Sequence, residues 1–362
     1  MHSSLVVVLF SSLFVATVSG TQCNITNPCP KSAPCCSEFG FCGTDDFCLG
    51  GCNPLTSFSL TSCKPNPVCK STTYNFSNTS RILSNATYFD GDVEKYDWTV
   101  DKGSIQNSGS DIAMILTSSN GGTRLSSTRY VHYGKITATM KTGRWPGVVT
   151  AFITMSNIKD EIDWEMPGNR VTEAQTNLFW QGHVPATTNG DTSKGLSDTF
   201  ANYHDYAIDW QPEELNFLID GKVVRTVKKS DTVDSRGVST YPSTPSRVQL
   251  SIWPAGVPSM PQGTRDWSGG DINWNDPDYK AAGQFYAQVK SVSIECADKL
   301  PDRNITSYAY GTNSTTDTPS VAYSNASVLL NEGVSMRDLS VGGASGMVMN
   351  ITAVLMGVAL LI

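Results

Sequence analysis

The sequence predicts an all-β fold, with two antiparallel sheets packed into a sandwich of jelly-roll type. Between about Thr72 and Cys296, apolar and polar residues alternate in short runs, as strands with one buried face require. Gly, Asn, Asp and Pro interrupt those runs at close intervals. No stretch sustains the 3.6-residue period of an amphipathic helix.

Individual strands can be read in chain order. Ile136, Ala138 and Met140 alternate with Lys135, Thr137 and Thr139, and Tyr206, Ile208 and Trp210 repeat the pattern. Leu215, Phe217 and Ile219 run into Asp220-Gly221 and then Val223-Val224, a hairpin signal because the tight turn needs positive φ. Val289, Val292 and Ile294 fall out of strict alternation, which predicts a strand with a bulge.

The flanking segments differ in texture. Residues 1–20 are an apolar run ending in Val18-Ser19-Gly20, which predicts a cleaved secretory leader and a mature start near Thr21. Nine of the ten cysteines fall between Cys23 and Cys69, so residues 21–69 are expected to be a small module held by disulfides rather than by a core. The sandwich is expected over 72–297. Residues 298–340 are rich in Ser, Thr, Asn and Gly and predict a glycosylated arm without a core. Residues 341–362 end in an uncharged apolar stretch without a basic tail, which predicts a glycolipid-anchor signal, with a plain transmembrane helix as the alternative. Acceptor motifs for N-glycosylation stand at Asn24, Asn75, Asn78, Asn85, Asn304, Asn313 and Asn325, in keeping with export. The net charge of −7 argues against nucleic acid as a partner, and an uncharged polymer suits it better. No cofactor and no metal are expected.

Asp160-Glu161-Ile162-Asp163-Trp164-Glu165-Met166 carries the sharpest chemical signal. On a strand, Glu161, Asp163 and Glu165 project to one face and Ile162, Trp164 and Met166 to the other. Three acids in a row raise one another's proton affinity, a cost a purely structural strand seldom carries. The arrangement suits a carboxylate that attacks and a second carboxyl that donates a proton. A solvated acidic edge strand or a calcium site would use the same residue types.

Glu-Ile-Asp-Trp-Glu resembles the E-x-D-x-E signature of family 16 glycoside hydrolases, retaining enzymes with a β-jelly-roll fold. The resemblance extends through Tyr133-Gly134-Lys135, Gly147 to Phe152, His204 to Trp210 and Asp220-Gly221-Lys222. Ser251-Ile252-Trp253-Pro254-Ala255-Gly256, with Trp267-Ser268-Gly269-Gly270, is similar to the substrate-cleft segment of plant xyloglucan transglycosylases. The resemblance implies that Glu161 is the nucleophile, Glu165 the proton donor and later base, and Asp163 the helper. Sugar rings have apolar C–H faces that stack on aromatic side chains. Trp180, Trp253 and Trp267 are therefore candidate cleft platforms, with Asn177, Gln181 and Arg144 as candidate hydrogen-bonding partners.

Cys35-Cys36-Ser37-Glu38-Phe39-Gly40-Phe41-Cys42-Gly43 resembles the core of hevein-like chitin-binding modules. That resemblance implies sugar contacts at Ser37, Phe39, Phe41 and Phe47, and pairing of Cys23 with Cys36, Cys29 with Cys42 and Cys35 with Cys48. The partners of Cys52, Cys63, Cys69 and Cys296 are left open. The order of segments as a whole resembles the fungal Crh family of wall transglycosylases. It implies chitin as donor, β-1,3- or β-1,6-glucan as acceptor, and attachment to membrane or wall. A hydrolase of chitin or β-glucan, or a wall-binding protein without turnover, are the rival expectations.

Overall fold

The structure is a computed structural model that describes residues 20–311 and 318–330. Almost all of the expected leader, Asn313 and the expected anchor signal lie outside the described residues.

Two eight-stranded sheets form the sandwich. One runs in the order Lys222–Lys228, Glu214–Ile219, His204–Trp210, Gly134–Lys141, Phe285–Cys296, Ile112–Leu116 and Ile105–Asn107, with Thr72–Asn75 also pairing with Phe285–Cys296. The other runs Asp191–Lys194, Glu173–Phe179, Glu161–Pro167, Val148–Ser156, Ser246–Pro254, Thr123–Val131, Trp98–Lys102 and Ile82–Leu83. Pairing is antiparallel except between the last two, which are parallel.

The alternation read from the sequence places the core. Ile136, Ala138, Met140, Tyr206, Ile208, Trp210, Leu215, Phe217 and Ile219 are buried between the sheets, where they meet Phe152, Ile162 and Trp164 from the other side. Each large apolar side chain so buried contributes about 1.5–3 kcal/mol. Buried indoles also need a partner for their N–H; Trp164 donates to the Ala207 carbonyl and Trp210 to that of Pro242. Asp220 and Gly221 both take positive φ, as the hairpin turn demands. The irregularity near Val289 is a bulge: register shifts where Thr139 faces Ser291 but Met140 faces Val289.

Five disulfides join all ten cysteines. They pair Cys23 with Cys36, Cys29 with Cys42, Cys35 with Cys48, Cys52 with Cys63, and Cys69 with Cys296. The described acceptor sites Asn24, Asn75, Asn78, Asn85, Asn304 and Asn325 are all exposed.

Part of the segment expected as a coreless arm is folded. Ser307–Tyr310 pairs with Val321–Ser324 and with Asn66–Pro67, forming a three-stranded sheet at the exit of the amino-terminal module. Tyr308 is buried against Val68 and Tyr130.

Candidate active site

The strand Glu161–Pro167 lies near the middle of its sheet, with Ile162, Trp164 and Met166 in the core. Glu161, Asp163 and Glu165 therefore share the opposite, outer face. Asp160 fixes the start of the strand. Its carboxylate accepts from the backbone N–H of Gln181 and Ser243 and from the Thr244 hydroxyl, while its own N–H donates to Ser156 Oγ.

Strand register extends this face into three rows across the sheet. The first holds Phe179, Glu161, Met155, Arg247 and Tyr130. Asn177, Asp163, Ile153, Gln249 and Ser126 form the second, and Gln175, Glu165, Ala151, Ser251 and Arg124 the third. Beyond the third row, Trp253 stacks on Trp267, with ring centroids 6.1 Å apart and planes 24° from parallel. The Trp267 indole N–H donates to Gln175 Oε1 at 2.8 Å, fixing this aromatic wall to the strand beside Glu165. Gly256 lets the wall close, because a Cβ there would overlap the Gly270 carbonyl oxygen.

The three acids are electrostatically distinct. Glu161 is only 8 % exposed, and its Oε2, like Oδ1 of Asp163, is buried without a hydrogen-bond partner. Such orphaned oxygens are rare in folded proteins and mark places where function outweighs stability. Burial pushes the Glu161 carboxyl up to about 7, opposed by a hydrogen bond from Asp163 and the charge of Lys159. Burial first, then the negative charge of Glu161, pushes Glu165 up to about 8. Asp163 lies well above the usual carboxylate range, through burial and then through the charges of Glu161 and Glu165. Of the two glutamates, Glu161 thus ionises the more readily, and Glu165 keeps its proton to higher pH.

The candidate partners divide. Asn177, opposite Asp163, and the Trp253–Trp267 pair line the face that carries the acids. Trp180 is not an open platform: it is 7 % exposed, donates its indole N–H to Thr318 Oγ1 and stacks on His183. Gln181 lies with it in a side depression bounded also by Ile25 and Leu55 of the module, and its side-chain amide donates to the same Thr318 hydroxyl. Arg144 is paired with Asp278 at 2.7 Å and sits over Phe200, engaged with neither glutamate. The segments after Phe179 and before Gly147 are loops, where alternation gives no facing. Gln175, Arg124, Arg247 and Gln249 are additional members of the acid-bearing face. Gln175 could have been found by counting two residues back from Asn177 on an alternating strand.

In the amino-terminal module, Phe39 is exposed, while Phe41 and Phe47 are half-buried. The Phe47 ring rests on Gly43, where any Cβ would overlap it. Ser37 Oγ accepts from the Phe41 N–H.

A two-sheet sandwich with three carboxyls on one face of one strand, Glu161 and Asp163 buried and Glu165 half-buried, and an aromatic wall beside them has the make-up of a polysaccharide-cleaving β-sandwich. Comparison with known proteins agrees: residues 92–269 match the model of glycosyl hydrolases family 16. Crh-like protein 3 of Botryotinia fuckeliana (strain B05.10) is 43% identical over 327 residues, covering 89% of this chain and 72% of that protein. Crh-like protein 2 of Aspergillus fumigatus is 39% identical over 349 residues, covering 92% and 78%. Among solved structures, the Crh5 transglycosylase in complex with NAG superposes with a TM-score of 0.59 at 26% identity, over 72% of this chain and 95% of that one. The chain belongs to the Crh-like proteins of glycosyl hydrolase family 16, and it is a glycosidase or transglycosylase.

Proposed function

We propose that this protein is a retaining transglycosylase of the fungal cell wall that takes chitin as donor and passes it to β-1,3- or β-1,6-glucan. The observation that carries this reading is the placement of Glu161, Asp163 and Glu165 on one face of one strand, in a chain that belongs to the Crh-like proteins. The Glu161 carboxylate attacks the anomeric carbon of the donor. The glycosidic C–O bond breaks, and the Glu165 proton goes to the departing oxygen. Asp163, protonated, steadies the Glu161 charge before attack and the ester afterwards. An acceptor hydroxyl then gives its proton to Glu165 while its oxygen attacks the same carbon, and Glu161 departs as carboxylate. Trp253 and Trp267 offer stacking surface for the bound sugars, with Gln175 and Asn177 as hydrogen-bonding groups.

Residues 21–69 are read as a hevein-like chitin-binding module acting through Ser37, Phe39, Phe41 and Phe47, and residues 72–297 as the catalytic domain. The leader and the glycolipid-anchor signal would deliver the enzyme to the cell surface, attached to membrane or wall. Among the described residues no helix is long and apolar enough to cross a membrane.

The test uses secreted protein, chitin as donor and a fluorescent laminari-oligosaccharide as acceptor, alongside Glu161→Gln. Labelled high-mass polymer from the wild type alone supports transfer through Glu161. Free chito-oligosaccharides without labelled polymer would make the protein a hydrolase.

A further inference from the structure

The face that carries the acids is not open along its whole length. Arg247 and Gln249 stand on it by register, two strands from Glu161 and Asp163, or roughly 10 Å at ordinary strand spacing. On an uncovered groove floor both would be accessible, yet they are 7 % and 3 % exposed. At Arg247 the cover is the amino-terminal module. One carboxylate oxygen of Glu38 meets Arg124, in the row of Glu165; the other meets Arg247, in the row of Glu161, at 3.1 Å. A single side chain thus joins the outer two rows. Lys159, two residues before Glu161, donates to the Glu38 carbonyl at 3.0 Å. The Gly51 N–H donates to Tyr130 Oη and Asn157 Oδ1, and a Cβ on Gly50 would come within 2.7 Å of Arg247.

We propose that Glu38 is a specificity-determining residue of the cleft: held between Arg124 and Arg247, it forms the end wall that limits how many sugar residues bind on that side of the acids. The proposal rests on the polysaccharide-cleaving reading of the site. In one direction, a chain lying across the strands runs past Asn177 and Gln175 toward the Asp191–Lys194 edge. In the other direction it meets the Glu38 carboxylate after about two strand spacings. The wall is charged, buried and paired on both oxygens, so thermal motion of one exposed side chain does not open it. It also sets the module beside the cleft, with Phe39 placed 5.6 Å from the Arg124 guanidinium.

The experiment measures kcat/KM on the full secreted chain, first for chito-oligosaccharide donors of increasing length and then for laminari-oligosaccharide acceptors of increasing length. Wild type is compared with Glu38→Ala and with Glu38→Asp, which keeps the charge but is one methylene shorter and guards against misfolding. In wild type, one series should stop improving at short oligomers. In Glu38→Ala that series should continue to rise, with at least a threefold gain for the longest members and the shortest unchanged. Glu38→Asp should move the same way by less. Superimposable length profiles for all three proteins, with melting temperatures showing each folded, overturn the proposal, because a purely structural ion pair would change stability alone. If wild type uses no chito-oligosaccharide but cleaves laminari-oligosaccharides, the donor assignment fails, and the Glu38 comparison is decided on those oligomers.

Discussion

At the scale of single residues, the two glutamates differ in their surroundings: Glu161 has Asp163 and Lys159 to favour its ionised form, whereas Glu165 has only burial and a neighbouring negative charge. The proposed mechanism needs Glu161 ionised and Glu165 protonated. The profile of kcat/KM against pH should therefore be a narrow bell, rising near 7 and falling near 8, with both limbs belonging to the coupled pair. Glu165→Gln should lower transfer by about 10²–10⁴-fold and remove the alkaline limb. Because both carboxyls are raised above their ordinary 4.5, their contribution to stability is complete below that value and is lost as pH climbs through 7 to 8. Glu165→Gln should accordingly raise the melting temperature relative to wild type more at pH 9 than at pH 4. With Asp163 as the donor in the proposed mechanism, Asp163→Asn should keep a measurable fraction of the activity that Asp163→Ala loses. Equal loss in both would show that its proton, rather than its hydrogen bond, is needed.

Elements determine which of these residues meet. The acids were legible from the sequence because one strand carries all three, and period-two alternation alone assigns their face. The rest of the face was less legible. Arg124, Gln175, Arg247 and Gln249 come from three other strands, and their alignment with the acids depends on sheet order and register, which local sequence does not encode. Trp180 stands just past a strand end, where an aromatic is free to turn away, and here Thr318 and His183 hold it. Trp180→Phe should thus lower the melting temperature with little change in KM. Trp267→Ala should instead raise KM by about 3–10-fold, the equivalent of ~0.5–1.5 kcal/mol of ring stacking, as Trp267 completes the wall beside Glu165. Steady-state kinetics and thermal melts on the two variants separate these outcomes.

Over the whole molecule, the sandwich and its small cysteine-rich companion could be anticipated from texture, but their mutual placement could not: it depends on the Glu38 ion pairs and on a strand pairing between Asn66–Pro67 and Ser307–Tyr310. The Cys69–Cys296 bond spans 227 residues and ties the beginning of the sandwich to its end. By chain-entropy accounting, closing so long a loop destabilises the unfolded chain by about 5 kcal/mol, so a Cys69→Ser/Cys296→Ser double variant should unfold at distinctly lower denaturant. The same bond makes the sandwich a covalent ring. A protease that cuts any single loop between Cys69 and Cys296 leaves both halves, each carrying part of the sheet network, joined in one molecule. A nicked enzyme would run as one band on a gel without reductant and as two with it. At the cell surface proposed for it, the enzyme can in this way suffer a cut without shedding a piece of itself.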